Sequence, residues 1–178
     1  MRHVALLRGI NVGGKNKLPM AALAAMFRDE GAGDVATFIA SGNVVFAAAP
    51  KLAAALPARI EKRIAADFAL RVPVMLRSAD ELAAAVARNP FVTRGVDENH
   101  LFVMFLADRP GAAAARALDP ARSPPDAFAL VGRELYLSLP NGAARTRLTN
   151  AYVDKTLGTI ATARNWRTTL KLLTLVSG

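Results

Sequence analysis

Between Leu6 and Lys17 the chain reads Leu-Leu-Arg-Gly-Ile-Asn-Val-Gly-Gly-Lys-Asn-Lys, with three glycines and three cations in twelve residues. A loop of this kind between a strand and a helix can cradle an anion. Glycine lets the backbone bare its N–H groups, and Arg8, Lys15 and Lys17 add positive charge. Gly9 to Lys15 also fits the G-x-x-x-x-G-K spacing of a phosphate-binding P-loop. That motif then needs a serine or threonine hydroxyl for Mg²⁺. Here Asn16 follows, and the first helix begins only near Pro19. Nucleotide hydrolysis is therefore set aside. Two readings stay open: an anion cradle, or a glycine turn with solvated lysines.

Two further turns carry similar polar groups. Ser41-Gly42-Asn43 separates two β-rich runs, and Asn141-Gly142 is followed by Arg145, Thr146, Arg147 and Asn150. Such dipeptides between apolar runs are first of all hairpin turns. The second stretch holds more than a turn needs, since an arginine fork suits phosphate or carboxylate. The expected ligand-binding residues are Arg8, Asn11, Gly13, Gly14, Lys15, Asn16, Lys17, Ser41 and Asn43, with Asn141, Arg145, Thr146, Arg147 and Asn150. They form one site if the loops close on a shared basic cleft between the two halves of the chain. The plain alternative is separate surface loops. Arg164-Asn165-Trp166 reads as a helix start, with Asn165 as N-cap and Trp166 as a core or interface anchor. Its rival is a stacking platform for a ring.

Other chemistries find no support. His3 and His100 each precede a strand, and neither sits beside a carboxylate at ligand spacing, so no metal site is expected. Zero cysteines exclude disulfides, thiolate nucleophiles and Fe–S ligation. G-x-S-x-G is absent. The acidic residues fall at helix starts or in loops, as in Asp80-Glu81 and Asp97-Glu98, and no pair announces acid–base catalysis. No residue presents itself as a base or nucleophile, which leaves any catalytic residue unknown, and no cofactor is expected. The formal charge of +9, from 23 Lys+Arg against 14 Asp+Glu, favours anionic partners. Yet the arginines run from Arg2 to Arg167 without clustering, so solvated helix faces are the plainer account of them. No apolar run approaches the ~20 residues of a membrane span, and a secretion signal is not expected. Cytoplasm is the expected compartment.

The elements that would position these groups follow from period and punctuation. Val4 to Ile10 reads as a buried strand, Met20 to Arg28 as a helix after Pro19, and Val35–Ile39 with Val44–Phe46 as a hairpin. Leu52, Leu56, Ile60, Ile64 and Phe68 recur every four residues as one helical stripe. Val72 to Leu76 is a strand, and Ser78-Ala79-Asp80-Glu81 is a capping box opening a helix to Arg88. Asn89 to Asn99 reads as a linker. The order then repeats: strand His100–Leu106, helix Pro110–Leu118, strands Ala127–Val131 and Leu135–Leu139, helix Leu148–Leu157, strand Thr159–Ala163 and helix Trp166–Val176. The expected fold is α+β, two tandem ferredoxin-like (βαββαβ) units, each with an additional helix. The first unit is residues 1–90 and the second 91–178. Strands such as Val4–Leu7 and Leu101–Leu106, apolar throughout, call for sheets covered on both faces.

The blocks Leu6 to Asn16, Ser41-Gly42-Asn43-Val44-Val45-Phe46, and Pro140-Asn141-Gly142 through Leu148-Thr149-Asn150 to Thr162-Ala163-Arg164-Asn165-Trp166 occur in order along nearly the whole chain. In them the sequence closely resembles a bacterial family known only as a domain of unknown function, numbered 1697. The resemblance implies two ferredoxin-like units and implies no activity. Thr146 and Arg147 stand where the family usually carries Ser and Lys, so hydroxyl and charge are kept.

Three functions follow as expectations. The first is a binding protein for an anionic ligand, a phosphorylated metabolite or nucleic acid. Against RNA, neither Leu135-Tyr136-Leu137 nor Val44–Phe46 makes a glycine-aromatic RNP1 pattern. The second is an enzyme acting on a small phosphorylated or carboxylated substrate held by Arg8, Lys15 and Arg145. The third is a structural or dimerising protein in which these blocks merely shape turns.

Overall fold

The computed structural model describes residues 1–178. Strand β1 is Arg2–Leu7, followed by α1 Met20–Asp29, β2 Gly33–Phe38, β3 Asn43–Ala47, α2 Pro50–Phe68, β4 Val74–Ser78 and α3 Ala79–Ala87. Then come α4 Pro90–Thr93, a 3₁₀ turn at Glu98–His100, β5 Leu101–Leu106, α5 Ala112–Arg116, β6 Ala127–Val131, β7 Glu134–Ser138, α6 Asn150–Leu157, β8 Ala161–Asn165 and α7 Trp166–Ser177. The fold is α+β with two four-stranded antiparallel sheets, ordered β2-β3-β1-β4 and β6-β7-β5-β8. Compactness divides the chain into Met1–Ala83 with Lys171–Gly178, and Ala84–Leu170. A boundary at residue 90 thus differs by the end of α3 and the last turns of α7. No helix is long and apolar enough to cross a membrane.

In the first unit, alternation along β1, β3 and β4 sends Ala5, Leu7, Val44, Phe46 and Val74 to one face. There they pack with Leu23, Met26 and Phe27 of α1 and with Leu56, Ile60 and Ile64 of α2. The expected four-residue stripe of α2 is this buried face, with Leu52 and Phe68 at its margins. Each fully buried Leu or Ile contributes about 1.5–3 kcal/mol, enough for α2 to carry Pro57 in its interior. The alternate residues Val4, Leu6, Val45, Met75 and Arg77 are buried too. That double burial is what the unbroken apolar runs required.

The second unit builds its core from Met104, Leu106, Leu135, Leu137, Val153, Leu157 and Ala161. Gly132 and Arg133 form the two-residue turn that sets Val131 opposite Glu134. Its helical layer is shorter: α5 and α6 have 5 and 8 residues, where α1 and α2 have 10 and 19.

Several element ends move from their expected places for local reasons. Asn89–Asn99 is no plain linker. Asn89 accepts from Phe91 N–H at 3.0 Å and Pro90 holds the first helical position, so α4 forms. Asp97 does the same for Asn99 at 2.9 Å. Helix α6 begins at Asn150, not Leu148, because the Thr149 hydroxyl caps Tyr152 N–H at 3.2 Å. The last strand lies at Ala161–Asn165, and Thr159 instead accepts from Asp108 N–H at 3.0 Å.

Candidate functional site

The loop from Arg8 to Lys17 is held by its own asparagines. Asn11 Nδ2 donates to Leu18 O and to Ala40 O, both at 2.8 Å, and Asn11 Oδ1 accepts from Leu18 N–H at 2.8 Å. Asn16 Nδ2 donates to Gly9 O at 2.9 Å. With φ of 53° and 51°, both asparagines occupy the left-handed region that this residue type tolerates best after glycine. At about 1 kcal/mol per bond, the Asn11 set alone is a substantial clamp. Through Ala40 it ties the Gly-rich loop to the β2–β3 turn, so the first two sequence blocks make one structure.

Gly13 and Gly14 form the tip. Their φ values of 58° and 74°, with Lys15 N–H donating to Val12 O at 3.0 Å, define a two-residue type I′ turn. This is a small hairpin and not a P-loop wrapped onto a helix, since α1 starts five residues beyond Lys15. The Gly13 and Gly14 N–H groups have no acceptor in the protein. Lys15 and Lys17 are exposed and without an ion-pair partner. Arg8 is half-buried, its backbone N–H bonded to Pro73 O at 3.0 Å.

Beside the tip lies an open depression of about 470 Å³ lined by Asn11, Gly14, Lys17, Leu18, Pro19, Met20 and Ala40. Pro19 and Met20 read in the sequence only as a helix start, and nothing local marks them as a wall. The exposed Val12 and Ile39 stand on the two loops that Asn11 joins. Ile39 has φ 50°, a strained conformation for a β-branched residue.

Ser41 and Asn43 serve the turn itself. Asn43 is fully buried and donates to Phe38 O at 2.9 Å and to Ser41 Oγ at 3.2 Å. Its side chain is spent inside the hairpin, whereas the other first-unit candidates have accessible surface.

The remaining candidates belong to the second unit. Asn141, Arg145 and Arg147 are exposed. Arg145 N–H bonds Gly142 O at 3.3 Å, and Arg147 N–H bonds Ser123 Oγ at 2.9 Å. Thr146 Oγ1 accepts from Leu148 N–H at 3.1 Å. Asn150 opens α6, and its Oδ1 is buried without a donor. Asn165 is the expected N-cap, accepting from Thr168 N–H at 2.8 Å, and Trp166 is buried.

The family model described as "Protein of unknown function (DUF1697)" matches residues 1–136. The chain belongs to this family. The match takes in the Gly-rich loop and the Ser41–Asn43 turn and ends before Asn141–Asn150. Among solved structures, this DUF1697 chain is similar to the conserved bacterial protein SP0830 from Streptococcus pneumoniae, at 23% identity and TM-score 0.74, over 98% of each chain. At that identity the likeness shows the fold. No curated protein matches the sequence.

Proposed function

We propose that the chain is a cytoplasmic binding protein for a small phosphorylated or carboxylated molecule, taken up at the Gly13-Gly14 tip. The observation that carries this reading is the pairing of two unpartnered N–H groups with two unpaired lysines, Lys15 and Lys17. A backbone concavity with free N–H groups draws negative charge, and each charge-assisted bond is worth about 1.5–3 kcal/mol. The depression beside the tip gives the rest of such a molecule a place to lie. A cytoplasmic setting suits the ligand class, because phosphorylated molecules do not cross membranes unaided.

We also infer that each unit is ferredoxin-like and that the two arose by duplication. What supports this is a strand–helix–strand–strand–helix–strand order in each, with corresponding strand orders β2-β3-β1-β4 and β6-β7-β5-β8.

Titration of the ¹⁵N-labelled chain with inorganic phosphate and pyrophosphate at low salt tests the ligand reading. The Gly13 and Gly14 amide signals should shift, and a Lys15→Ala, Lys17→Ala double variant should bind about tenfold more weakly. Silence of both amides at millimolar phosphate and pyrophosphate defeats it. Single-stranded RNA that shifts them with a steep salt dependence, while both anions fail, moves the site to nucleic acid.

A further inference from the structure

In the second unit, helix α6 and the segment after α5 border an open depression of about 780 Å³. Its two charged lining groups are both cations, Arg122 and Lys155. Thr149, Tyr152 and Thr156 complete its polar wall, and the rest is alanine. Tyr152, Lys155 and Thr156 are three and four residues apart on α6, so one helix face presents them together. The Arg122 guanidinium carbon lies over the Tyr152 ring, 4.4 Å from its centroid. That ring is anchored in turn: its Oη accepts from Asp119 N–H at 3.0 Å, and Thr149 Oγ1 caps the Tyr152 N–H. Neither Arg122 nor Lys155 has a carboxylate partner. The acids next to them in sequence face backbone, with Asp119 accepting from Ala121 N–H at 2.8 Å and Asp154 from Ala161 N–H at 2.9 Å.

We propose that this depression binds a small dianion, a phosphate monoester or a dicarboxylate, between Arg122 and Lys155. Charge, orientation and donor capacity support it together. Two unpaired cations line one hollow and no carboxylate does, so a doubly negative molecule matches them and a monoanion leaves one unmet. The contact with Tyr152 holds the guanidinium in place while its side-chain N–H groups keep no acceptor in the protein. That planar fork suits two oxygens of a phosphate or carboxylate at once. Because the ring already restricts Arg122, binding orders it at less cost than a freely moving side chain. The Thr156 hydroxyl, without a hydrogen bond in the protein, adds a neutral donor beside Lys155. The hollow falls within the roughly 300–1,000 Å³ of small-molecule sites. It shares no residue with the Gly13-Gly14 tip and stands or falls separately from it.

Methyl phosphate and malonate, titrated separately into the full-length ¹⁵N-labelled chain, are the probes, with acetate as the singly charged control. At least one dianion should shift the Arg122 Nε–H and the Lys155 and Thr156 amide signals, and which one does so assigns the phosphate or the carboxylate class. Acetate should bind about tenfold more weakly, the worth of one charge-assisted hydrogen bond. Arg122→Gln and Lys155→Gln, both at exposed positions, should each weaken the dianion about tenfold. Tyr152→Leu keeps both charges and should weaken it a few-fold, by releasing Arg122. Arg94→Gln, which removes an equal charge elsewhere in the unit, should change nothing. The proposal is overturned if neither dianion moves these signals at millimolar concentration, or if acetate binds as well. It also fails if Arg122→Gln binds as the wild type does, or if Arg94→Gln loses as much as Arg122→Gln, since the attraction would then belong to the net charge and not to this site.

Discussion

A Cβ added at Gly42 would stand 2.7 Å from Leu7 Cβ and 3.0 Å from Ile10 Cδ1, whereas one added at Gly13 meets nothing within 4 Å. Both residues have positive φ, so alanine is strained at either. Gly13→Ala should therefore cost only that strain, about 1 kcal/mol. Gly42→Ala also drives a methyl into the junction of β1 with the Gly-rich loop and should cost about 3 kcal/mol or more. Urea denaturation separates them, and equal losses would remove the packing argument. His3 is a second residue with a defined penalty. Its ring is buried, stacked on Phe46 with centroids 5.5 Å apart, and its Nδ1 has no partner. Burial lowers its pKa from 6.5, because the charged ring loses water; the Met1 backbone pulls weakly the other way. The unfolded chain then binds the proton first as pH falls. This contribution is complete above pH 6.5, declines below it, and levels off once the folded ring also protonates. Thermal unfolding from pH 8 to 5 should show the decline, and His3→Phe, which keeps the stack, should flatten it. A variant with the wild-type slope would clear His3 of the effect.

Helix ends offer a paired comparison between the units. Helix α2 stops at Ala69 with φ 55°, and α6 stops at Gly158 with φ 66°, each N–H closing back on the carbonyl four residues earlier. Glycine takes this left-handed cap without a Cβ penalty and alanine does not. Ala69→Gly should thus stabilise by about 1 kcal/mol and Gly158→Ala destabilise by a similar amount. Melting temperatures moving the same way in both variants would contradict the cap assignment. Local signals of this sort were the legible part of the fold. The α2 stripe, the Gly132-Arg133 turn and the reciprocal Ser78–Glu81 bonds at 2.8 and 3.1 Å all depend on residues close in sequence. What periodicity misses is contact at long separation. The Asn11–Ala40 bond spans 29 residues, so nothing near Asn11 announces that it joins two loops. Glycine spacing alone also suggested a phosphate loop where Val12-Gly13-Gly14-Lys15 is a hairpin turn. Telling the two apart needs the backbone bond from Lys15 to Val12. Ser41 and Asn43 were legible as a turn, and their types concealed that Asn43 points its polarity inward.

At the scale of the whole molecule, each sheet buries an arginine of its own at the corresponding place. In the first, Arg77 of β4 lies opposite Val4, the third residue of β1; in the second, Arg164 of β8 lies opposite Val103, the third residue of β5. Both are buried, and each donates through Nη1 to the preceding carbonyl, Leu76 O or Ala163 O, at 2.8 Å. Arg164 also reaches Thr162 Oγ1 at 2.9 Å. Such equivalence is hard to arrive at twice by chance in halves with little sequence in common, so it favours the duplication reading. It also carries an energetic cost. Loss of water lowers the Arg164 pKa to about 10, so at neutral pH the group stays charged in a place that disfavours charge. A buried ion held by hydrogen bonds is often no better than an apolar side chain of its size, while truncation leaves its partners stranded and a void. Arg164→Ala should therefore lose about 3 kcal/mol or more, and Arg164→Met, which fills the space, clearly less. Arg77 should follow the same order. Chemical denaturation of the four variants decides it. If methionine is as damaging as alanine at both positions, the guanidinium contacts matter more than the volume, and the arginines are then electrostatic fixtures of the two sheets and not merely large side chains tolerated in their cores.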